Sequence, residues 1–360
     1  MNEGLSPEDS FRLQVLLAQD LKAVRIDESS LTLHALTDKG EASIPLSPNC
    51  REDKYLRQVR EMLSGHALGS PGGYPVYLSR WTRHGQMAGV NLGKLLLTGE
   101  PEAVVAVVHS PGLTDELARY AWWTLPTIEN ARLMLSREAV AQGPMGLVLA
   151  NFLVEHLPFL QDDHLGIIDT VAVLIYSKAV TPAGLETMWK FGRRSNTHFV
   201  AFLEMAAAPG QLQLPLPLAA HPQYDAVSAA LAPNIAASQP AACALQRALS
   251  SQGQTFLDAA GEVLERPETQ EVVSHTLNAI GRYFSSNLDW NQADQPLCEA
   301  WQTRCQAFAP KLESVARLAR CDDGEVKAIF ARSTAIGSLM RRKIGPVVAP
   351  LLSAIAELRR

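Results

Sequence analysis

Between Ser64 and Gln86 the chain reads SGHALGSPGGYPVYLSRWTRHGQ, a stretch with five glycines and two prolines that carries Arg80, Trp81, Arg83 and His84 near its end. No aspartate or glutamate occurs from Met62 to Gly99, so these cations have no carboxylate close by in sequence. As a helix stopped by Gly85, the three- and four-residue spacing sets Tyr77, Arg80, Trp81 and His84 on one stripe. As a strand, Arg80 shares a face with Val76 and Leu78 while Trp81 points the other way. The helical form makes a patch of two rings, a guanidinium and an imidazole, suited to an acidic peptide or a small anion. The competing reading buries Trp81 with Arg80 in an internal ion pair. Gly69-Ser70-Pro71-Gly72-Gly73 has the composition of a phosphate loop but lacks the Gly-Lys-Ser/Thr ending. Its glycines are read instead as turn formers with access to positive φ.

Two further groups could recognise a partner. Trp122 and Trp123 are adjacent within DELARYAWWTLP, and neighbours on a helix point about 100° apart. One ring is expected in the core and the other between helices or at an interface. Arg341, Arg342 and Lys343 could meet a phosphate backbone, although Trp301 and Phe330 form no evident stacking platform beside them. Metal chemistry has less support. Glu155, His156, Asp162, Asp163 and His164 are close in sequence, but Leu157 to Gln161 separates them and no His-Glu-x-x-His pattern occurs. Asp162 and Asp163 fit the start of a helix, where carboxylates meet the positive end of the dipole. Cys298 and Cys305 are too far apart for a zinc knuckle, and Cys321 beside Asp322 and Asp323 is discouraged from forming a thiolate. No Gly-x-Ser-x-Gly elbow, Cys-x-x-Cys pair or dinucleotide fingerprint is present, so no catalytic residue, metal ligand or cofactor is assigned.

The elements that must position these groups are mostly helical. Of 360 residues, 47% are apolar and 19% charged, a globular balance with a large interior. The five cysteines are odd in number and suit a reducing compartment. The first residues, MNEGLSPEDS, lack the basic start and apolar run of a signal peptide, and no apolar run is long enough to cross a bilayer. A cytoplasmic location without membrane insertion is expected. Net charge is −5, unevenly placed: Arg304 to Arg360 holds eleven basic and five acidic residues, a net of +6, against −11 for the preceding 303. Such asymmetry can draw an anionic partner or be neutralised within one fold.

Ser6, Pro7 and Asp9 mark a helix start, with the helix running to about Asp20. VRIDESSLTLHALTDKGEASIPL reads as an antiparallel meander turning at Asp38-Lys39-Gly40, with His34 on one face of the sheet. From Arg51 to Leu63, Tyr55, Leu56, Val59, Met62 and Leu63 share a stripe, and Gly65 is expected to end that helix. Further helices start near Gly89, Glu102, Thr114, Thr127, Pro144, Asp163, Thr181 and Asn196, at spacings of 12 to 19 residues without a fixed period. The prolines at 215, 217, 222, 233 and 240 make the next segment a linker or an extended wrap. Helices resume near Ala241, run through ETQEVVSHTLNAIGRYF, resume from Lys311, and continue through EVKAIFARSTAIGSLMRRK. Pro346 to Leu358 is a separate apolar segment broken by proline. The fold class is mainly α, short helices packed as hairpins or as an irregular helical repeat, with a small antiparallel meander near the N-terminus. The expected divisions are an α/β cap over 1–86, a helical body over 87–208, a wrap or linker over 209–240 and a C-terminal helical region over 241–360.

The segments LSPEDSFRLQVLLAQ, VRIDESSLTL, SGHALGSPGGYPVYLSRWTRHGQ and GEPEAVVAVVHSPGLTDELARYAWW, followed by ENARLML and LVEHLPF, carry a resemblance. Together they resemble the DsrS family, cytoplasmic proteins associated with the dissimilatory sulfite reductase system of sulfur-oxidising bacteria. The resemblance implies an accessory role in oxidation of stored sulfur, through the abundance or assembly of that machinery, and brings no catalytic residue. The expected function is therefore that of a non-catalytic accessory or regulatory protein with partners in the sulfur-oxidation machinery. Alternatives are a small-anion sensor or an enzyme using Arg80, Arg83 and His84, and an RNA-binding post-transcriptional regulator.

Overall fold

The computed structural model describes residues 5–69, 92–160, 163–208, 212–285, 308–333 and 335–360. Among these it is mainly α, with nineteen α-helices and one three-stranded antiparallel sheet that does not close. The chain divides into two compact units, Met1–His156 and Leu157–Arg360.

The first unit begins with α1 (Pro7–Leu17), where Ser6 Oγ accepts from the Asp9 amide at 3.1 Å and proline occupies the first turn. The helix ends at Leu17, short of Asp20, because β1 (Leu21–Asp27) starts at once. β1 pairs with β2 (Thr32–Thr37), and β2 with β3 (Gly40–Pro45), in the order β1-β2-β3. Alternation along the strands sends Val24, Leu33 and Ala35 to one face. There they pack on Leu13, Leu16 and Leu17 of α1 and on Tyr55, Leu56, Val59 and Leu63 of α2 (Glu52–Leu68). Asp9 is buried in this contact, where its Oδ2 accepts from the Tyr55 hydroxyl at 2.5 Å and the Ser47 amide at 3.2 Å. α2 continues through Gly65 to Leu68, and it is Gly69, at φ +61°, that closes it. A left-handed cap is what a glycine terminator supplies, and Gly65 is simply a glycine in a helical turn with open space around it.

A helical layer follows: α3 (Leu92–Leu95), α4 (Pro101–His109), α5 (Asp115–Thr124), α6 (Ile128–Leu135), α7 (Glu138–Ala141) and α8 (Pro144–His156). Thr114 and Thr127 cap α5 and α6 through their side chains. The β1 edge is partly closed by this layer, since the Val24 amide donates to the Leu96 carbonyl at 2.8 Å.

The second unit is helical in all its described elements. α9 (His164–Ser177), capped by Asp163, and α10 (Pro182–Phe191), capped by Thr181, lead to α11 (Thr197–Ala207). α11 is buried on nearly every side, and Trp189 of α10 lies against its Phe199 and Phe202 with ring centres 4.6 and 5.2 Å away. The proline-rich stretch then runs as a wrap: the Leu214 amide bonds to the Gln252 side chain, the Leu218 amide to Thr255 and the His221 amide to the Leu249 carbonyl. Its buried Leu214 anchors it. Short helices α12 (Tyr224–Ala230) and α13 (Ala232–Ala236) precede α14 (Pro240–Leu249), α15 (Ser251–Glu265) and α16 (Gln270–Ser285), which build the core with α11. The Phe256 ring of α15 stacks on Tyr283 of α16 at 3.8 Å.

α17 (Ala309–Ala319), α18 (Gly324–Phe330) and α19 (Gly337–Arg359) complete the unit. EVKAIFARSTAIGSLMRRK is thus not one helix: the chain turns before Gly337, whose φ of +59° only glycine adopts at little cost. Conversely, Pro346 and Pro350 do not break the last helix. Both are exposed, so water can reach the carbonyls of Arg342 and Pro346 that lose their amide donors.

Candidate functional site

Arg80, Trp81, Arg83 and His84 lie outside the described residues. The remaining sequence candidates fall in two places, the α5/α8 surface and the start of α19.

On α5 the adjacent tryptophans diverge, and both are half-buried. Trp123 turns to the sheet. Its indole N–H donates to Glu41 at 3.3 Å, the Arg25 guanidinium lies 4.6 Å from its ring centre, and Arg25 also donates to the Trp123 carbonyl at 3.2 Å. Glu41 further pairs with Arg25 and with His34 Nδ1, each at 3.1 Å. The strand register explains the meeting, because Arg25 stands opposite His34 across β1 and β2. The group is a clamp that seats α5 on the sheet, its cation and carboxylate already matched.

Trp122 turns the other way, toward α8. It meets Phe152 edge-on at 4.7 Å, and Phe152 stacks on His156 at 3.8 Å, one helical turn along. α8 is apolar around most of its circumference. Met145, Leu149 and Leu153 enter the core, yet Leu147 and Val148 on the outer side are 56% and 47% exposed. The exposed ridge of Leu147, Val148, Asn151 and Glu155, flanked by Phe152 and Val154, carries one charge. A helix apolar all round is ordinarily covered on all sides.

At the start of α19, Arg341 and Arg342 are exposed and have no polar partner among the described residues, while Lys343 donates to Ser333 Oγ at 2.6 Å. Three residues that sequence reading did not single out join them: Arg332, exposed and likewise unpaired among the described residues, and two exposed aliphatics, Ile336 and Leu339. The absence of carboxylate from Val326 to Ala356 was the available signal.

Two polar clusters assemble from distant parts of the second unit. Glu268 accepts from Ser195 Oγ at 3.1 Å and from Thr197 Oγ1, while His164 Nδ1 lies 3.0 Å from Thr197 Oγ1 and 3.2 Å from Glu268. A hydroxyl, an imidazole and a carboxylate are the types used in nucleophilic catalysis. Here, however, the hydroxyl proton goes directly to the carboxylate and Thr197 is fully buried, so no substrate carbonyl could approach. The arrangement is a clasp joining the beginnings of α9, α11 and α16. The second cluster borders a cavity of about 500 Å³, where Glu204 holds His275 at 2.9 Å and Arg282 at 3.3 Å. The hydrogen bond to Glu204 pushes the His275 pKa above its ordinary value. Cys321 on the same wall has its thiol pKa pushed up to about 12 by burial and by Asp322, which leaves it a poor nucleophile. No group of three or more metal-ligating side chains converges among the described residues, and no described helix is long and apolar enough to cross a membrane.

No protein-family model, curated protein or solved structure matches this chain.

Proposed function

We propose that this protein is a non-catalytic accessory protein that acts through protein–protein contacts, and that its partners belong to the dissimilatory sulfur-oxidation machinery of the cytoplasm. The observation that carries the contact reading is the outer face of α8. Leu147 and Val148 stand in solvent on a helix whose apolar circumference calls for cover, beside the half-buried ladder of Trp122, Phe152 and His156. Aromatic rings presented with aliphatic neighbours are the usual anchors of a protein interface. The sulfur-oxidation assignment rests on the sequence resemblance over the first unit.

The test is affinity capture from an extract of a sulfur-oxidising bacterium, with the wild-type chain beside a Leu147→Asp, Val148→Asp variant whose fold is checked by circular dichroism. Components of the sulfite reductase system should be recovered with the wild type and reduced roughly tenfold with the variant. Equal recovery by both chains removes the α8 face from the proposal. A captured set with no component of that system removes the sulfur-oxidation assignment.

A further inference from the structure

The turn into α19 combines features that fit a different class of partner. From Val326 to Ala356 there is no aspartate or glutamate, while Lys327, Arg332, Arg341, Arg342 and Lys343 are all cationic. Two of these are used internally, Lys327 in a pair with Asp323 at 2.9 Å and Lys343 on Ser333. The other three are exposed arginines without a polar partner among the described residues. Between them stand Ile336, 73% exposed, and Leu339, 43% exposed. At about 100° per residue, Leu339 and Arg342 both occupy the outer side of α19, opposite the stripe of Met340, Ile344 and Val348 that enters the core.

The described residues of the turn are held by hydrogen bonds from neighbouring elements. The Gln270 side-chain amide donates to the carbonyls of Ser333 and Ala335, each at 3.0 Å, and Lys343 reaches back to Ser333 from the helix. Gly337 takes a left-handed conformation with open space around it, so its role is to bend the backbone. At the far end of the helix, Lys311 donates to the Glu357 carbonyl at 2.7 Å and Gln254 to the Leu358 carbonyl at 3.1 Å. The aliphatic apex and its arginines are therefore presented on a braced post, and little order has to be gained on binding.

We propose that this tip docks on an anionic phospholipid surface, with Ile336 and Leu339 entering the boundary between headgroups and acyl chains and Arg332, Arg341 and Arg342 meeting lipid phosphates. The charge is complementary to an anionic leaflet, and the aliphatic apex is what separates a bilayer from other polyanions. A nucleic acid backbone would engage the arginines and gain nothing from Ile336 or Leu339, whereas an interface of headgroups and chains uses both. Binding is peripheral and reversible, since the apolar part is two side chains.

Flotation of the full-length protein with vesicles of phosphatidylcholine alone, or of phosphatidylcholine with phosphatidylglycerol, tests this directly. The wild type should float with the phosphatidylglycerol vesicles and not with phosphatidylcholine, and added salt should weaken the binding. Arg341→Ser with Arg342→Ser should lower the partition about fivefold for each arginine. Ile336→Ser with Leu339→Ser, which leaves the charge intact, should lower it roughly tenfold. Thermal melts of both variants, altered only at exposed side chains, check that the fold is retained. Failure of the wild type to float with anionic vesicles at low salt overturns the proposal. Flotation that the Ile336, Leu339 variant does not reduce also overturns it. So does binding to polyuridylate or polyaspartate, with none to vesicles, which would make the tip a nucleic-acid or acidic-protein site.

Discussion

At its C-terminal end α19 carries Arg359, paired with Asp258 at 2.6 Å, and receives Lys311 and Gln254 on its last carbonyls. At its other end Arg341 and Arg342 face solvent with no carboxylate opposite among the described residues. The same residue types thus stand in opposite circumstances on one helix. Cations at a helix C-terminus complement the dipole and satisfy carbonyls that lack intrahelical donors. Arginines near the N-terminus gain nothing from the dipole, and those at 341 and 342 have no ion pair among the described residues. The Arg25–Trp123–Glu41 clamp belongs with the C-terminal end, because its cation is already matched. The anchoring cations differ from those at 341 and 342 in having a carboxylate or carbonyl within reach among the described residues.

The largest effect is expected away from both ends, in the packing of α16 that supports the same unit. A β-carbon added at Gly281 on α16 would stand 1.9 Å from the Cys321 carbonyl oxygen. Neither backbone can yield without displacing the turn that leads into α18. Gly281→Ala should cost about 3 kcal/mol, read as a lowered urea midpoint with unchanged slope. An unchanged midpoint would mean that α16 and that turn are not in rigid contact. Next in size is the anchored end. Lys311→Ala removes a charged donor from the Glu357 carbonyl together with its buried stem, and should cost about 2 kcal/mol. Arg341→Ala with Arg342→Ala should change stability by less than about 0.5 kcal/mol. If thermal melts ranked the two ends the other way round, the assignment of anchor and tip would be reversed.

Much of this architecture was legible because helix starts are written locally. Ser6, Thr114, Thr127, Asp163 and Thr181 each offer a side-chain oxygen that the structure uses as a cap. The meander was equally legible, since Leu33 and Ala35 alternate with Thr32, His34 and Leu36. Helix ends were harder. Gly65 and Gly69 look alike as terminators, and only the backbone shows which one turns left-handed. The break before Gly337 was hidden in an apolar run, whereas Pro346 and Pro350 looked like breaks and are absorbed on an exposed face. Candidate sites were least legible where partners lie far apart: nothing local joins Ser195 to Glu268, or Arg25 to Trp123. The tip was half legible, because Arg341, Arg342 and Lys343 are adjacent while Arg332 and Ile336 join them only through the turn.

The smallest effect separates the two ends by pH. His221 lies near Lys311 and the end of α19. Burial lowers its pKa below the ordinary 6.5, the Lys311 charge adds to this, and a backbone hydrogen bond with Arg360 opposes it. His198 is likewise lowered by burial, whereas His275 is raised by Glu204. For a lowered histidine the unfolded chain takes up a proton that the folded chain refuses, so stability is lost as pH falls through 6.5 toward the folded value. For His275 the sign is opposite: its contribution is full below 6.5 and is lost as pH rises through its raised folded pKa. His221→Asn can keep an acceptor for the Gln223 amide, which now donates to His221 Nδ1 at 3.0 Å, and it removes one titrating group. The variant should lose less stability than the wild type between neutral pH and the acid side of 6.5, measured by urea unfolding across a pH series. The arginines of the tip keep their charge throughout that range, so vesicle binding by the folded protein should not follow the same curve. Equal acid sensitivity of wild type and His221→Asn would show that the anchored end does not titrate with folding, and the contrast between the ends would then rest on ion pairing alone.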